Sequence, residues 1–347
     1  MTALVPLPPH PEGVAWPTQE WPQGAIPSSA NRARLSDLLD PAFAKNAPAD
    51  LGETHALVIV QHGRLLLERY WRDCTPTQTY KSWSMAKSIT QALVGILVRD
   101  GKLDIHAPAA VPEWQSDDDP RKAITLDLLL RMSSGLAFVE EYVPGKISDV
   151  REMLFFGGKA DMAHYAASRP LEYPPGSFWS YSSGTTNIVA RLVGQAAGAH
   201  SAADYEAFMR SRLLDKIGMK RALPKFDAAG TFIGSSYCFA SARDFARFGT
   251  LYLRDGVWDG ERILPEGWVD YARTPTWQQP TDQGQYGAHW WLDLAGPGSF
   301  SCNGYEGQFT VVIPDRDMVI VRHGATQAEQ GPNVKAWIKA VAECFSA

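Results

Sequence analysis

Cysteine is scarce in this 347-residue chain, and Cys74, Cys238, Cys302 and Cys344 are scattered with no C-x-x-C among them. That spacing argues against a disulfide framework or a zinc site and predicts reduced thiols. The eight histidines include no H-x-x-x-H pair, so no metal site is expected. Basic charge is not in excess either. There are 33 Lys and Arg against 38 Asp and Glu, for a formal net charge of −5, which does not suit a phosphate backbone and excludes nucleic acid as the expected partner. Long apolar runs are missing. The aliphatic stretch "ALVGILV" (Ala92 to Val98) is far short of the roughly 20 residues of a membrane-spanning helix. A secretory signal opens with positive charge and then runs apolar. Here no Lys or Arg precedes Arg32 and prolines break each early apolar run, so a cytoplasmic protein with no membrane partner is expected. No serine stands in G-x-S-x-G, which removes the nucleophile elbow of the α/β-hydrolases.

What is present is an ordinary globular balance, 45% hydrophobic and 20% charged residues, enough for a sizeable core. Residues 1–30 are Pro-rich and aperiodic and predict an extended arm. "NRARLSDLLDPAF" reads as a short amphipathic helix. "HALVIVQHGRLLLERYW" reads as a hairpin with Gly63 in its turn. From Ser84 a helix is expected, because Ile89, Ala92, Leu93, Ile96 and Leu97 recur on one face. The middle is mainly helical, with "ITLDLLLRMSSGL", "NIVARLVGQAAG", "YEAFMRSRLLDKIGM" and "SARDFARFGTLYLRDG", the last with Ser241 as N-cap. Strand character returns in "GAHWWLDL", "GQFTVVIP" and "DMVIVRHGAT", before a closing helix "NVKAWIKAVAECF". The pattern predicts an α+β fold: an antiparallel sheet built from both chain ends and flanked by helices, with an inserted mainly helical lobe. The arm covers residues 1–30 and one domain covers 31–347. Its sheet lobe spans about 31–100 and 235–347, its helical lobe about 101–234. A cleft is expected where the lobes meet.

The stretch "KSWSMAKSIT" (Lys81 to Thr90) places Ser84 three residues before Lys87. On a helix these share a face. A serine hydroxyl attacks only once a base takes its proton, and a lysine serves as that base if burial or a nearby cation lowers its pKa. With 23 serines and 12 lysines in the chain, chance alone supplies roughly one S-x-x-K pair. Spacing by itself therefore leaves two readings open: a nucleophile with its base, or a helix cap beside a surface lysine.

The hairpin followed by "SWSMAKSIT" resembles the serine β-lactamase and penicillin-binding-protein superfamily, and most of all its class C branch with the esterases and 6-aminohexanoate-dimer hydrolases. The resemblance covers roughly residues 30 to 345. It implies a second motif, Y-x-N or Y-x-S, before a helix, and "PPGSFWSYSSGTTNIVARLVG" supplies Tyr181 and Ser183. It implies a third, K-T-G or a variant, on a late strand. The matching triplet in "SFSCNGYEGQFTVV" is Cys302, Asn303, Gly304, so the lysine is absent. Nothing local makes Cys302 a thiolate, and it reads as a strand residue. In "GLAFVEEYVPG", Tyr142 matches a tyrosine that lies in the substrate site of the 6-aminohexanoate-dimer hydrolases, and Glu140 and Glu141 read as solvated charges.

The resemblance implies a serine hydrolase acting through an acyl-enzyme on a small ester or amide, with no metal or organic cofactor. Ser84 is the nucleophile, Lys87 and Tyr181 share the base role, and the backbone N–H groups of Ser84 and Tyr305 hold the oxyanion. Tyr142, Ser183, Asn303 and Gly304 are the expected substrate-binding residues. The missing lysine and the Ser183 departure fall in the parts that bind a lactam. Alternatives are a true β-lactamase or D-amino-acid peptidase, an acyltransferase of the same fold, and an idle binding protein. "SFWSY" and "HWWLD" fit an acyl pocket or a core.

Overall fold

The residues His62 and Gly63 both take positive φ, 50° and 70°, the geometry of a two-residue hairpin turn. They join β1 (Glu53–Gln61) to β2 (Arg64–Tyr70), as the sequence predicts. The computed structural model describes residues 4–46, 48–143, 145–277 and 284–346. Helix α1 (Arg32–Ala42) precedes the hairpin and α2 (Met85–Arg99) follows it. The inserted lobe carries α3 (Leu126–Leu130), α4 (Asp149–Phe155), α5 (Met162–Ala167), α6 (Ser183–Ala197) and α7 (Ala202–Met209). A two-residue ladder of β3 (Leu223–Pro224) and β4 (Cys238–Phe239) leads to α8 (Ala242–Leu253). A second ladder, β5 (Val257–Trp258) with β6 (Glu261–Arg262), and α9 (Trp268–Arg273) follow. The chain then returns to the sheet through β7 (Gln285–Tyr286), β8 (Trp291–Leu292), β9 (Phe300–Gly304), β10 (Gln308–Ile313) and β11 (Met318–Ala325), and ends on α10 (Gly331–Ala342).

The sheet has seven strands in the order β2-β1-β11-β10-β9-β8-β7, and every pairing in it is antiparallel. The two chain ends meet where β1 lies against β11, with Val58 opposite Val321 and Ile59 opposite Ile320. Side chains alternate between the two faces. Val58, Val60, Val319 and Val321 join the larger core with α2 and α8. Leu57, Ile59, Met318 and Ile320 join a second core under α1 and α10. Gly249 of α8 permits the close approach on the first face, since a Cβ there would sit 2.6 Å from Val319 Cγ1. The expected α+β arrangement is therefore present.

Two local readings change and a third gains detail. Helix α2 is buried on every side from Met85 to Leu97, because sheet and inserted lobe enclose it; its polar residues are satisfied internally, Ser88 Oγ donating to the His289 carbonyl at 2.7 Å. Helix α3 stops at Leu130, well before Gly135, as the chain turns through Met132 at φ 57°. The Pro-rich arm is tied to the sheet edge: Leu65 N–H donates to the Pro22 carbonyl at 2.8 Å and Gly24 N–H to that of Leu65 at 2.9 Å, which covers an edge strand otherwise open to pairing. Ser241 caps α8 in a reciprocal capping box with Asp244, as expected. The four cysteines are free thiols. Among the described residues no helix is long and apolar enough to cross a membrane.

Candidate active site

Ser82 is fully buried and pins the chain ahead of α2. Its hydroxyl donates to the Ser236 carbonyl at 3.2 Å and accepts from Cys238 N–H at 2.9 Å. Trp83 then takes φ 45°, a costly region for a bulky side chain. Ser84 follows at the helix start, and its hydroxyl makes no capping bond. The cap reading fails on that point, and the surface-lysine reading fails because Lys87 is 1% exposed.

Lys87 Nζ has three neighbours, each at 3.0 Å: Ser84 Oγ, Ser183 Oγ and the Ser235 carbonyl. Burial pulls its pKa from the ordinary 10.5 down to about 8, although Glu140 opposes the shift. The ammonium also lies 4.8 Å from the centre of the Tyr181 ring. Burial, with the nearby Glu140 charge, pushes the Tyr181 phenol well above its usual range, and a side-chain hydrogen bond with Ser84 opposes this. So a lysine with a lowered pKa and a protonated phenol both meet one serine hydroxyl.

Glu140, which reads in sequence as a solvated charge, instead turns inward to Ser183 and Tyr142. Its Oε1 accepts from the Ser183 hydroxyl at 2.6 Å and from the Tyr142 phenol at 2.6 Å, and its Oε2 accepts from Ser183 N–H at 2.8 Å. Two adjacent glutamates in a loop look alike in sequence, and only the fold turns one of them inward. Glu141 stays local, accepting from Tyr142 and Val143 N–H. Ser183, expected at the substrate, is fully buried behind Lys87, because it occupies the first turn of α6 where that helix abuts α2. The Ser235 carbonyl was also missed, since no sequence signal marks a backbone acceptor.

A cavity of about 430 Å³ opens beside these groups, lined by Glu140, Tyr142, Phe178, Trp179, Ser180, Tyr181 and Trp291. The aromatic segments thus divide between pocket and core: Phe178, Trp179 and Trp291 line the cavity, while Trp290 is fully buried in the core. Tyr142 stacks on Tyr305 with ring centres 5.1 Å apart.

Strand β9 ends beside the Ser82–Ser84 segment. A Cβ on Gly304 would lie 2.3 Å from the Ser82 carbonyl, so only glycine lets the strand, and Tyr305 after it, come this close. Cys302 pairs with Thr310 on the face toward α2, is 1% exposed, and has its thiol pushed up to about 12 by burial. It offers neither a nucleophile nor a cation. Asn303 pairs with Phe309, which packs in the α1–α10 core. The Asn303 side chain therefore shares the face turned away from α2, and its Oδ1 is buried with no partner among the described residues. His289 is a satisfied core residue. Burial lowers its pKa to about 3, Nδ1 reaches the Leu130 carbonyl at 2.7 Å and Nε2 the Thr186 hydroxyl at 2.9 Å.

Comparison with known proteins agrees with this geometry. A 6-aminohexanoate-dimer hydrolase from Paenarthrobacter ureafaciens is 26% identical over 291 residues, 78% of this chain and 72% of that protein. Among solved structures, a Bacillus anthracis protein assigned as a 6-aminohexanoate-dimer hydrolase superposes with a TM-score of 0.74 at 23% identity, covering 99% of this chain and 90% of its own. A family VIII carboxylesterase superposes at 0.69 with 15% identity, covering 93% and 99%. At those identities the structural likenesses speak for the fold. The family model described as Beta-lactamase matches residues 49–342, and the chain belongs to that family.

Proposed function

We propose that this protein is a serine hydrolase that acts through an acyl-enzyme on a small ester or amide. The observation that carries the reading is the 3.0 Å contact between Ser84 Oγ and the buried, pKa-lowered Lys87. Lys87 takes the Ser84 proton as the oxygen bonds to the carbonyl carbon. The oxyanion is held by the Ser84 and Tyr305 N–H groups, with the N-terminus of α2 adding favourable potential. Tyr181, kept protonated by burial, gives its proton to the departing alcohol or amine and is resupplied from Lys87. Water then enters by the same route in reverse and frees the acid. The names of the Paenarthrobacter relative and of the carboxylesterase support amide and ester substrates. The buried Cys302, where a lactam-binding lysine would stand, favours them over β-lactams. The four unpaired thiols and the net charge of −5 support a cytoplasmic setting and a small-molecule partner.

The test is intact-protein mass after brief exposure to p-nitrophenyl acetate, alongside nitrophenolate release. Wild type is expected to turn over or to trap one acetyl group, and Ser84→Ala to do neither. Equal behaviour of the two proteins would overturn the reading. Fast turnover of a chromogenic cephalosporin would move the chain to the lactam hydrolases.

A further inference from the structure

Once Lys87 is neutral, the hydrogen bonds around it have only one consistent direction. The Ser235 carbonyl can only accept, so Lys87 donates to it at 3.0 Å. Ser183 has one hydroxyl hydrogen, and two neighbours compete for its orientation: Lys87 Nζ at 3.0 Å and Glu140 Oε1 at 2.6 Å. The shorter contact is to a carboxylate, the stronger acceptor, so the hydrogen points to Glu140 and the Ser183 oxygen accepts from Lys87. A neutral amine has two N–H bonds and one lone pair. Both N–H bonds are then committed, and the remaining direction, toward Ser84 Oγ at 3.0 Å, holds the lone pair.

We infer that Glu140 is a positioning residue for the general base: by holding the Ser183 hydrogen it keeps the Lys87 lone pair aimed at Ser84. The carboxylate is itself fixed, since Ser183 N–H and the Tyr142 phenol complete its contacts. Without Glu140 the Ser183 hydrogen is free to turn onto the Lys87 lone pair and block it. This rests on the reading of Ser84 as nucleophile and Lys87 as its base.

A merely structural Glu140, stapling the start of α6 through Ser183 N–H, would alter stability and leave the acylation plateau in place, while loss of its charge would shift the acid limb in either case. The groups facing the pair do not titrate near neutrality. Burial raises the phenols of Tyr142, Tyr181 and Tyr286 and lowers the His289 imidazole to about 3, so the acid limb of the profile reports Lys87.

The experiment measures acylation by p-nitrophenyl acetate from pH 6 to 10, by stopped-flow nitrophenolate release and intact mass. Wild type, Glu140→Gln, Ser183→Ala, the double variant and Glu140→Asp are compared. Each of Glu140→Gln and Ser183→Ala is expected to lower the plateau roughly ten- to hundredfold, the range of a general-base contribution. In Glu140→Gln the acid limb should move to lower pH, because the charge that favours the Lys87 ammonium is gone. The double variant should be no slower than the slower single, since both break one relay, and Glu140→Asp should recover part of the rate. An unchanged plateau in Glu140→Gln, wherever its limb lies, or losses that multiply in the double variant, would overturn the inference and leave the hydrolase reading standing. A wild type that is never acylated at Ser84 would instead remove the hydrolase reading, and this one with it. Ser183→Ala, which deletes only a buried hydroxyl, keeps the question answerable if Glu140→Gln does not fold.

Discussion

The Trp83 indole donates to Glu306 Oε2 at 2.8 Å, and both residues stand in the left-handed region, at φ 45° and 61°. Trp83 immediately precedes Ser84 and Glu306 immediately follows Tyr305, so one hydrogen bond clamps the two backbone segments that supply the proposed oxyanion donors. Neither residue is glycine, and each such conformation costs about 1–3 kcal/mol. The bond and the edge-on packing of Trp83 against Tyr305, with ring centres 5.5 Å apart, help offset that cost.

Breaking this clamp should slow the reaction more than it weakens binding. Glu306→Gly keeps the backbone conformation at lower strain and removes the carboxylate; Glu306→Gln keeps a hydrogen-bond acceptor. Steady-state kinetics on p-nitrophenyl acetate are expected to show kcat down about tenfold in Glu306→Gly with KM nearly unchanged, the pattern of a contact felt in the transition state. Glu306→Gln should stay within about threefold of wild type. Equal losses in the two variants would assign the effect to local packing rather than to the bond.

The proposed base sets a definite pH dependence. Lys87 accepts a proton only when neutral, and its pKa is lowered to about 8. The acylation rate should therefore climb about tenfold per pH unit below that value and level off above it, leaving roughly one-hundredth of the plateau rate at pH 6. Single-turnover nitrophenolate bursts between pH 6 and 10 measure this directly. A rate flat across the range would remove Lys87 as the base.

How much of this was legible in the sequence depends on the kind of contact. The hairpin turn at Gly63 and the Ser241 cap follow from local rules, and the pairing of the terminal strands from strand character at both chain ends; the structure carries all three. Ser84, Lys87 and Tyr181 could be named because two of them share a helix turn and the third precedes a helix in a recognisable context; the structure brings all three together. Glu140 could not, since Ser183, the partner that ties it to Lys87, is 43 positions away and its neighbour Glu141 is chemically identical. Trp83 and Glu306 are 223 residues apart, and no periodicity links them. Helix α2 showed one apolar face in sequence, yet all of its sides are covered, because burial on the polar side rests on contacts such as Ser88 to the His289 carbonyl.

Burying Lys87 should also leave a mark on stability. Its folded pKa, about 8, lies below the ordinary 10.5. Below pH 8 both states hold the proton and this group adds no pH dependence. Between about 8 and 10.5 the unfolded chain binds more protons, so wild-type stability gains with rising pH, by up to about 3 kcal/mol from this residue. Lys87→Met lacks that increment. Urea unfolding of the two proteins at pH 7 and 9.5 should show their stability difference shifting toward wild type at the higher pH. A difference that does not change with pH would mean that the buried amine is not depressed.

The strand end makes the sharpest steric prediction. Gly304 has φ −122°, which alanine adopts without strain, so Gly304→Ala tests space alone. Its Cβ would meet the Ser82 carbonyl at 2.3 Å, and that carbonyl is backbone on a segment pinned by Ser236 and Cys238. The strand must yield, and Tyr305 N–H moves with it. Removing an oxyanion donor costs about 10²–10³ in kcat in other acyl-transfer enzymes, and acylation in Gly304→Ala is expected to fall about a hundredfold or more. Binding of a boronic acid, which forms a tetrahedral adduct on Ser84, should weaken in parallel while the fold persists by circular dichroism. Full activity in Gly304→Ala would show that the Ser82 segment gives way instead, and that the close approach of β9 is packing rather than part of the reaction site.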